Sequence, residues 1–382
     1  MSAQSDPLTT AKHLRAFIES QADATEAACT LTEPVVAKLR ENGLFRLMVP
    51  RDLDGTEADT STIIDVCEEL AYADGSTGWA YAQNCNTMAY IAYIAPEAGR
   101  VISDKGCAAG MFAPLSVAQR EKGGIRVSGH HSFASGSKHA DFIGSSAMEM
   151  AGDEPVISDD GMPSIRCYFV PVEKVELWDN WDTLGLRGTG SVDYDVPEQF
   201  VEDAYTFSLF TTEPQTGGAV YGLGPVVLGA SSSVGWVLGV ARRAMDEITR
   251  IVEGGRERMG SPPLKEQQAF QHEYGKQTLL LESARLLAHD AFGAAVAHIE
   301  RGTPATTELI NRTRAATSYV NDVCKDVTRF AYEASGSSGL RNPSILQRCF
   351  RDMQTGGLHV IFDPRGVADM SKGKLGILVG TL

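Results

Sequence analysis

Most of the features that would assign this 382-residue chain quickly to a class are missing from it. There is no CxxC pair and no Cys/His spacing suited to zinc, so neither a zinc module nor any other metal site is expected. The seven cysteines, Cys29, Cys67, Cys85, Cys107, Cys167, Cys324 and Cys349, are an odd number without a disulfide-scaffold pattern, which points to a reducing, cytoplasmic setting. No run of Lys and Arg offsets the net charge of -15, so nucleic acid is not an expected partner. The first residues lack a basic stretch followed by an apolar one, and no uninterrupted apolar run reaches membrane-spanning length; export and insertion are both disfavoured. A GxGxxG loop after a strand, an ATP-type phosphate loop, an HExxH helix and a GxSxG elbow are all absent. The chain is therefore not expected to bind NAD(P)H itself or to work as a nucleotidase, zinc protease or serine hydrolase.

What is present is ordinary globular material, 43% hydrophobic and 22% charged, in a length that supports two or three cores. Leu14, Phe17 and Ile18, then Val35, Val36 and Leu39, recur at helical spacing, and helices are expected over Thr60 to Ala73 and Thr77 to Tyr93. From Cys107 the texture changes to short β-type runs separated by Gly, Asp and Pro, and from about Tyr221 long helical patterns return. The expected domains are helical over 1–106, β over 107–215 and a four-helix bundle over 216–382. The bundle helices are placed at Leu223 to Val252, Leu264 to Ile299, Thr306 to Ala334 and Ser344 to Phe362, and Pro364 onward is expected to be an irregular tail. The stretch Val127 to Ala140, VSGHHSFASGSKHA, reads as a strand kinked by small residues and resumed at Asp141 to Met148. The small side chains at Ser132 and from Ala134 to Ser137 leave room for a backbone or a flat ligand to approach.

Three motifs in this order, HSFASGSKHAD (His131 to Asp141), WDTLGLRGTGSVDYDVP (Trp181 to Pro197) and NPSILQRCFRDMQTGGLH (Asn342 to His359), resemble the oxygenase components of two-component flavin-dependent monooxygenases. That resemblance covers nearly the whole chain. It implies an α+β fold of the acyl-CoA dehydrogenase-like type, with an N-terminal helical domain, a central β-barrel or sandwich and a C-terminal four-helix bundle, assembled as a homotetramer. It also implies reduced FMN (FAD is possible) and molecular oxygen as cofactors. A separate NAD(P)H-dependent flavin reductase and a small aromatic or cyclic substrate, oxygenated through a C4a-(hydro)peroxyflavin, complete the scheme.

By the same resemblance Ser135 lies beside flavin N5, and His359 either stabilises the peroxide or handles a substrate proton, tasks suited to an ordinary imidazole. Phe133, Ala134, Thr189 and Ser191 border the ring or ribityl chain. Arg256, Gln267 and Gln268 reach the phosphate end of a flavin held by an adjacent subunit, where the planar fork of an arginine suits phosphate. Arg187, Arg348, Arg351 and Asp352 fit structural ion pairs as well as cofactor contacts. For substrate, Trp79, Asn84, Asn86 and Met88 are the candidates. The stretch holding them carries Asn84, Cys85 and Asn86 where the aromatic hydroxylases of this family often carry a His.

Two other readings compete. Acyl-CoA dehydrogenases place a catalytic Glu nine residues past the Arg of an RDA-like motif, and that count from Arg351 arrives at Val360, which cannot remove a proton. A dehydrogenase with its base elsewhere stays open, as does a non-catalytic helical scaffold that binds no flavin.

Overall fold

The computed structural model describes residues 6–158, 161–255 and 260–377. Five helices come first: α1 (Pro7–Ala28), α2 (Glu33–Glu41), α3 (Thr60–Ala73), α4 (Gly75–Ala89) and α5 (Pro96–Lys105). Three open on an aspartate that satisfies an otherwise unpaired N–H of the first turn. Asp6 accepts from Thr9 at 2.9 Å, Asp59 from Thr62 at 2.7 Å and Asp74 from Thr77 at 2.7 Å. The Asp74 cap lets α4 start immediately after α3, which drives α4 through the interior with fourteen of its fifteen residues buried, Trp79, Tyr81 and Met88 among them.

The strands are β1 (Ala108–Glu121), β2 (Gly124–Ala134), β3 (Phe142–Ala151), β4 (Glu154–Pro155), β5 (Ile165–Pro171), β6 (Glu176–Leu177), β7 (Val192–Glu202) and β8 (Thr206–Ser208). They form one mixed sheet in the order β6-β7-β2-β1-β3-β5-β8, with β4 on β3. The sheet curls on itself. Although β7 and β3 are three places apart in that order, the Tyr194 hydroxyl on β7 reaches Ser145 Oγ on β3 at 2.6 Å, over a core of Ile125, Val127, Ile143, Tyr168 and Val196. The small-residue kink in the 127–140 stretch is real: the β2–β7 register shifts between His131 and Ala134. The expected resumption of the same strand at Asp141 is corrected. β3 lies on the far side of β1, parallel to it, so the chain crosses over between β2 and β3.

The helices that follow are α6 (Gly224–Glu253), α7 (Gln268–Ile299), α8 (Thr307–Ser335), α9 (Ile345–Gly356) and α10 (Arg365–Lys374). The segment Ala219–Glu253 is long and apolar enough to cross a membrane by composition, yet 94% of its most apolar window is buried inside the protein, which makes it the central core helix. There α6 crosses α3 at backbone contact, a Cβ on Gly235 landing 2.3 Å from the Ile64 carbonyl oxygen. Two expectations fail at the C-terminal end. The helix expected through Phe362 stops at Gly356, because Gly356 and Gly357 give up helix propensity and Gly356 packs on Trp236; His359 is thereby left at the N-cap of a single 3-10 turn, Val360–Phe362. The tail expected to be irregular contains α10, begun by Asp363 accepting from Arg365 N at 2.8 Å and held to α8 through the Arg314–Asp369 pair at 3.4 Å.

Candidate active site

The end of β2 is shaped by its backbone. Phe133 adopts φ 69°, Ser135 N–H donates to the Phe133 carbonyl at 2.8 Å, and Gly136, at φ 76°, donates to the Thr189 carbonyl at 3.0 Å. Glycine is required at 136 because a Cβ there would sit 2.4 Å from Asn84 Oδ1. This straps the loop after β2 to the loop before β7 and leaves Ser135 inward, 4% exposed.

Four polar side chains then form a line. Trp79 Nε1 donates to Ser135 Oγ at 3.0 Å, Ser135 Oγ lies 2.7 Å from Ser191 Oγ, Ser191 Oγ lies 2.6 Å from Thr189 Oγ1, and Thr189 Oγ1 donates to the Leu186 carbonyl at 2.9 Å. Each hydroxyl has one proton, so the last bond orients all the others. Thr189 spends its proton on the carbonyl, so Ser191 donates to Thr189 and Ser135 donates to Ser191. Ser135 therefore has no proton to offer a ligand; what it retains, with Trp79 on one lone pair, is an acceptor.

His359 comes to the same place from the turn that follows α9. Its ring meets the Trp79 ring edge-on, centroids 5.4 Å apart at 71°, and Trp79 in turn meets Trp236 at 4.9 Å. Burial of the imidazole pushes its pKa down to about 4, so it is neutral at pH 7. The expectation that His359 titrates near neutrality is thus revised. Its tautomer is also fixed: Nδ1 accepts the Ile361 N–H at 3.2 Å, which puts the proton on Nε2. His359 presents a donor while Ser135 presents an acceptor.

Ala134 is fully buried where β2 pairs with β7, while Phe133 is 59% exposed and meets Trp181 edge-on at 6.3 Å. Asn84 spends its amide on the Ala108 carbonyl and its oxygen on His139 Nε2, both at 3.0 Å. Asn86 likewise bonds the Gly229 carbonyl at 3.3 Å and Ser232 Oγ at 2.8 Å, and Met88 is fully buried. Arg187 pairs with Asp182 at 3.0 Å, and Arg348 and Arg351 pair with Glu26 at 2.8 and 2.7 Å. Gln267, at the start of α7, donates to the Pro262 carbonyl at 2.7 Å, and Gln268 is exposed. Arg256 lies outside the described residues. Sequence reasoning missed Leu186 and Trp181 as members of the site. Both lie in the second motif, but nothing in a leucine's identity signals the positive φ of 55° that turns its carbonyl toward Thr189 and Trp181.

Comparison with known proteins places the chain in a family. Residues 8–100 match the family model described as acyl-CoA dehydrogenase, N-terminal domain, and residues 231–364 the one described as acyl-CoA dehydrogenase, C-terminal domain. The chain belongs to the acyl-CoA dehydrogenase-like family. Relatives within that family include oxygenases. It is 28% identical to an indole-3-acetate monooxygenase of Pseudomonas putida, over 85% of this chain and 82% of that protein. It is 26% identical to the oxygenase component of an FADH(2)-dependent resorcinol hydroxylase of a Rhizobium species, over 97% and 96%. The solved 3-HSA hydroxylase from Rhodococcus sp. RHA1 shares the fold, with a TM-score of 0.91, 22% identity and 98% of each chain covered. The chain is accordingly a flavin-dependent monooxygenase of the oxygenase-component type.

The site fits a reduced flavin by its donor chemistry. The N5 position of a reduced flavin carries a proton and wants an acceptor, which is the one role the hydroxyl line leaves to Ser135. Phe133, Leu184, Leu358 and Val360, from the segments that carry the site, are each more than half exposed and supply apolar surface for a flat ring.

Proposed function

We propose that this protein oxygenates a small aromatic or cyclic organic substrate using reduced FMN or FAD supplied by a separate NAD(P)H-dependent flavin reductase. The observation that carries the reading is the opposed pair on Trp79: a fixed acceptor at Ser135 and a fixed donor at His359, joined by one indole. The flavin, when bound, supplies the activation of dioxygen. The residues of the chain do the rest. Ser135 would hold the ring edge through its free lone pair, Thr189 and Ser191 keep that lone pair unspent, and Trp79, Trp236 and Phe133 would exclude water from the reacting region. His359 donates its Nε2 proton in a hydrogen bond to an oxygen of the reacting system and remains neutral while doing so.

Trp79 serves as a wall of the substrate pocket. Asn84, Asn86 and Met88 shape that wall from behind, since the amides of both asparagines are already engaged and Met88 is fully buried. We place Arg256, Gln267 and Gln268 at the phosphate end of a flavin held by a neighbouring copy in a cytoplasmic homotetramer. The exposed Leu279 and Leu286 on α7 support an apolar contact between copies. The test supplies reduced FMN or FAD, labelled dioxygen and a panel of phenols, indoles and thiophenes, then follows label in the product and hydrogen peroxide released. Label in a hydroxylated or oxygenated product supports the reading. Anaerobic reduction of bound flavin by an acyl-CoA would establish the dehydrogenase instead, and failure to retain any flavin would leave a scaffold.

A further inference from the structure

Behind the hydroxyl line, Leu186 is held from its other side. Its N–H donates to Asp352 Oδ1 at 2.6 Å while its carbonyl receives Thr189 Oγ1 and Trp181 Nε1, both at 2.9 Å. A leucine at φ 55° costs about 1 kcal/mol or more and persists only where its surroundings hold it. Asp352, on α9, is 2% exposed; its second oxygen, Oδ2, has no partner, lies against Gly75 and borders a cavity of about 220 Å³ between α1, α3, α6 and α9.

The charged groups facing that cavity are mostly compensated among themselves. On α1, Asp23 and Glu26 bind Arg348, Glu26 also binds Arg351, and Glu19 binds Arg243 of α6, which is further paired with Glu247 at 2.8 Å. Tyr72 of α3 donates to Asp246 at 2.7 Å, and burial raises the Cys349 thiol. The buried carboxylate left facing Asp352 is Asp74, whose own bonds go to Thr77. Burial first, then the charge of Asp74, raises Asp352 to about 7.

We propose that Asp352 is a positioning residue for Ser135: by holding the Leu186 N–H it fixes the carbonyl that terminates the hydroxyl line, and so keeps Ser135 an acceptor toward the flavin. This rests on the proposed function for its purpose but not for its test. Two indole N–H groups report the line directly, Trp181 at the Leu186 carbonyl and Trp79 at Ser135, and neither readout needs flavin.

The experiment labels tryptophan with nitrogen-15 and follows the indole resonances of the full-length protein from about pH 5 to about pH 9, spanning the Asp352 transition. The Trp79 and Trp181 resonances are expected to move together with one midpoint near neutrality. His359, already neutral above about 5, does not contribute there. Asp352→Asn, which keeps an oxygen for the Leu186 N–H, should leave both resonances near their parent positions but abolish the shared titration, while Trp178, which donates to Asp195, keeps its own behaviour. Asp352→Ala should displace both resonances and, with reduced flavin and dioxygen, raise the fraction of turnovers lost as hydrogen peroxide, which Asp352→Asn should not. A Trp79 resonance that keeps its titration in Asp352→Asn, or is undisplaced in a folded Asp352→Ala, overturns the proposal. If the parent shows the coupled titration but retains no flavin, the proposed function fails and the coupling of Asp352 to Ser135 stands.

Discussion

Replacing Ser135 by alanine removes a single oxygen but touches two neighbours unequally. The Trp79 Nε1–H, on a ring 5% exposed, loses its acceptor, and orphaning a buried donor costs about 1–3 kcal/mol. Ser191 loses only an incoming bond and still donates to Thr189, a smaller penalty. Cavity formation adds little, because the methyl remains. Denaturant unfolding of Ser135→Ala should therefore show a loss of about 1–3 kcal/mol. The functional loss expected under the proposed function has a separate origin, since the lone pair proposed to meet the flavin disappears with the oxygen. One such bond corresponds to about one to two powers of ten in the ratio of product formed to hydrogen peroxide released.

The two effects separate in the Trp79→Phe background, where the ring survives and the donor is gone. There Ser135→Ala should cost almost nothing in stability, giving a coupling energy of about 1–2 kcal/mol in the double-mutant cycle. The shift from product to hydrogen peroxide should persist. If coupling in the double variant recovers along with stability, Ser135 acts only by satisfying Trp79, and the direct role argued for it is wrong.

Asp352→Asn should change how stability depends on pH. The folded pKa of Asp352, about 7, lies above the ordinary 3.8, so the neutral acid stabilises the fold fully below about pH 4 and that contribution is lost as pH rises through 7. The move corresponds to at most about 4 kcal/mol, so the variant's melting temperature should gain on the parent's as pH increases, and parallel melting curves across pH would rule this out. His359→Ala should lower product formation with little effect on flavin affinity, and His359→Gln, which keeps an N–H donor, should recover part of it. The parent's profile should show no ionisation attributable to His359 between about pH 5.5 and pH 8, because its pKa of about 4 lies below that window. Gly136→Ala should destabilise by about 1–3 kcal/mol through a disfavoured φ and the approach of the new methyl to Asn84, measured by denaturant midpoint; an unchanged midpoint would mean the loop relaxes freely.

The parts of this fold that follow from periodicity were legible in the sequence. The bundle helices announce themselves by apolar spacing, and the bulge before Ser135 by its run of small residues. Topology was not legible, because β3 carries the same β-favouring residues whether it continues β2 or crosses to the far side of β1. At the site, residue identities in the three motifs singled out Ser135, Thr189, Ser191 and His359, the separate stretch around α4 supplied Trp79 as a pocket candidate, and the structure brings these five together. Their polarity was invisible. Which hydroxyl donates to which depends on the Leu186 carbonyl, and which imidazole nitrogen carries the proton depends on the Ile361 N–H. Neither main-chain group has a residue-type signature.

That dependence on the main chain also bears on dehydrogenation as an alternative chemistry. A group that removes a proton needs an open lone pair on an atom that can gain charge. At the position where an acyl-CoA dehydrogenase would carry its glutamate this chain has Val360, and the neighbouring His359 has no free lone pair to offer: Nδ1 is taken by Ile361 N–H, and Nε2 already holds the proton. Burial then opposes the imidazolium that proton uptake would create, as the pKa of about 4 records. The buried carboxylate in the same motif, Asp352, points its bound oxygen at Leu186, and its free one lies buried against Gly75. A donor at His359 suits an oxygen that develops charge in an oxygenation, and the fixed acceptor at Ser135 suits a ring nitrogen that carries hydrogen. Reversing that pair would require Nε2 to give up its proton and Leu186 to release Thr189. The protein therefore has to break two main-chain contacts before it can present a base, and this is why acyl-CoA substrates are expected to leave its flavin unreduced.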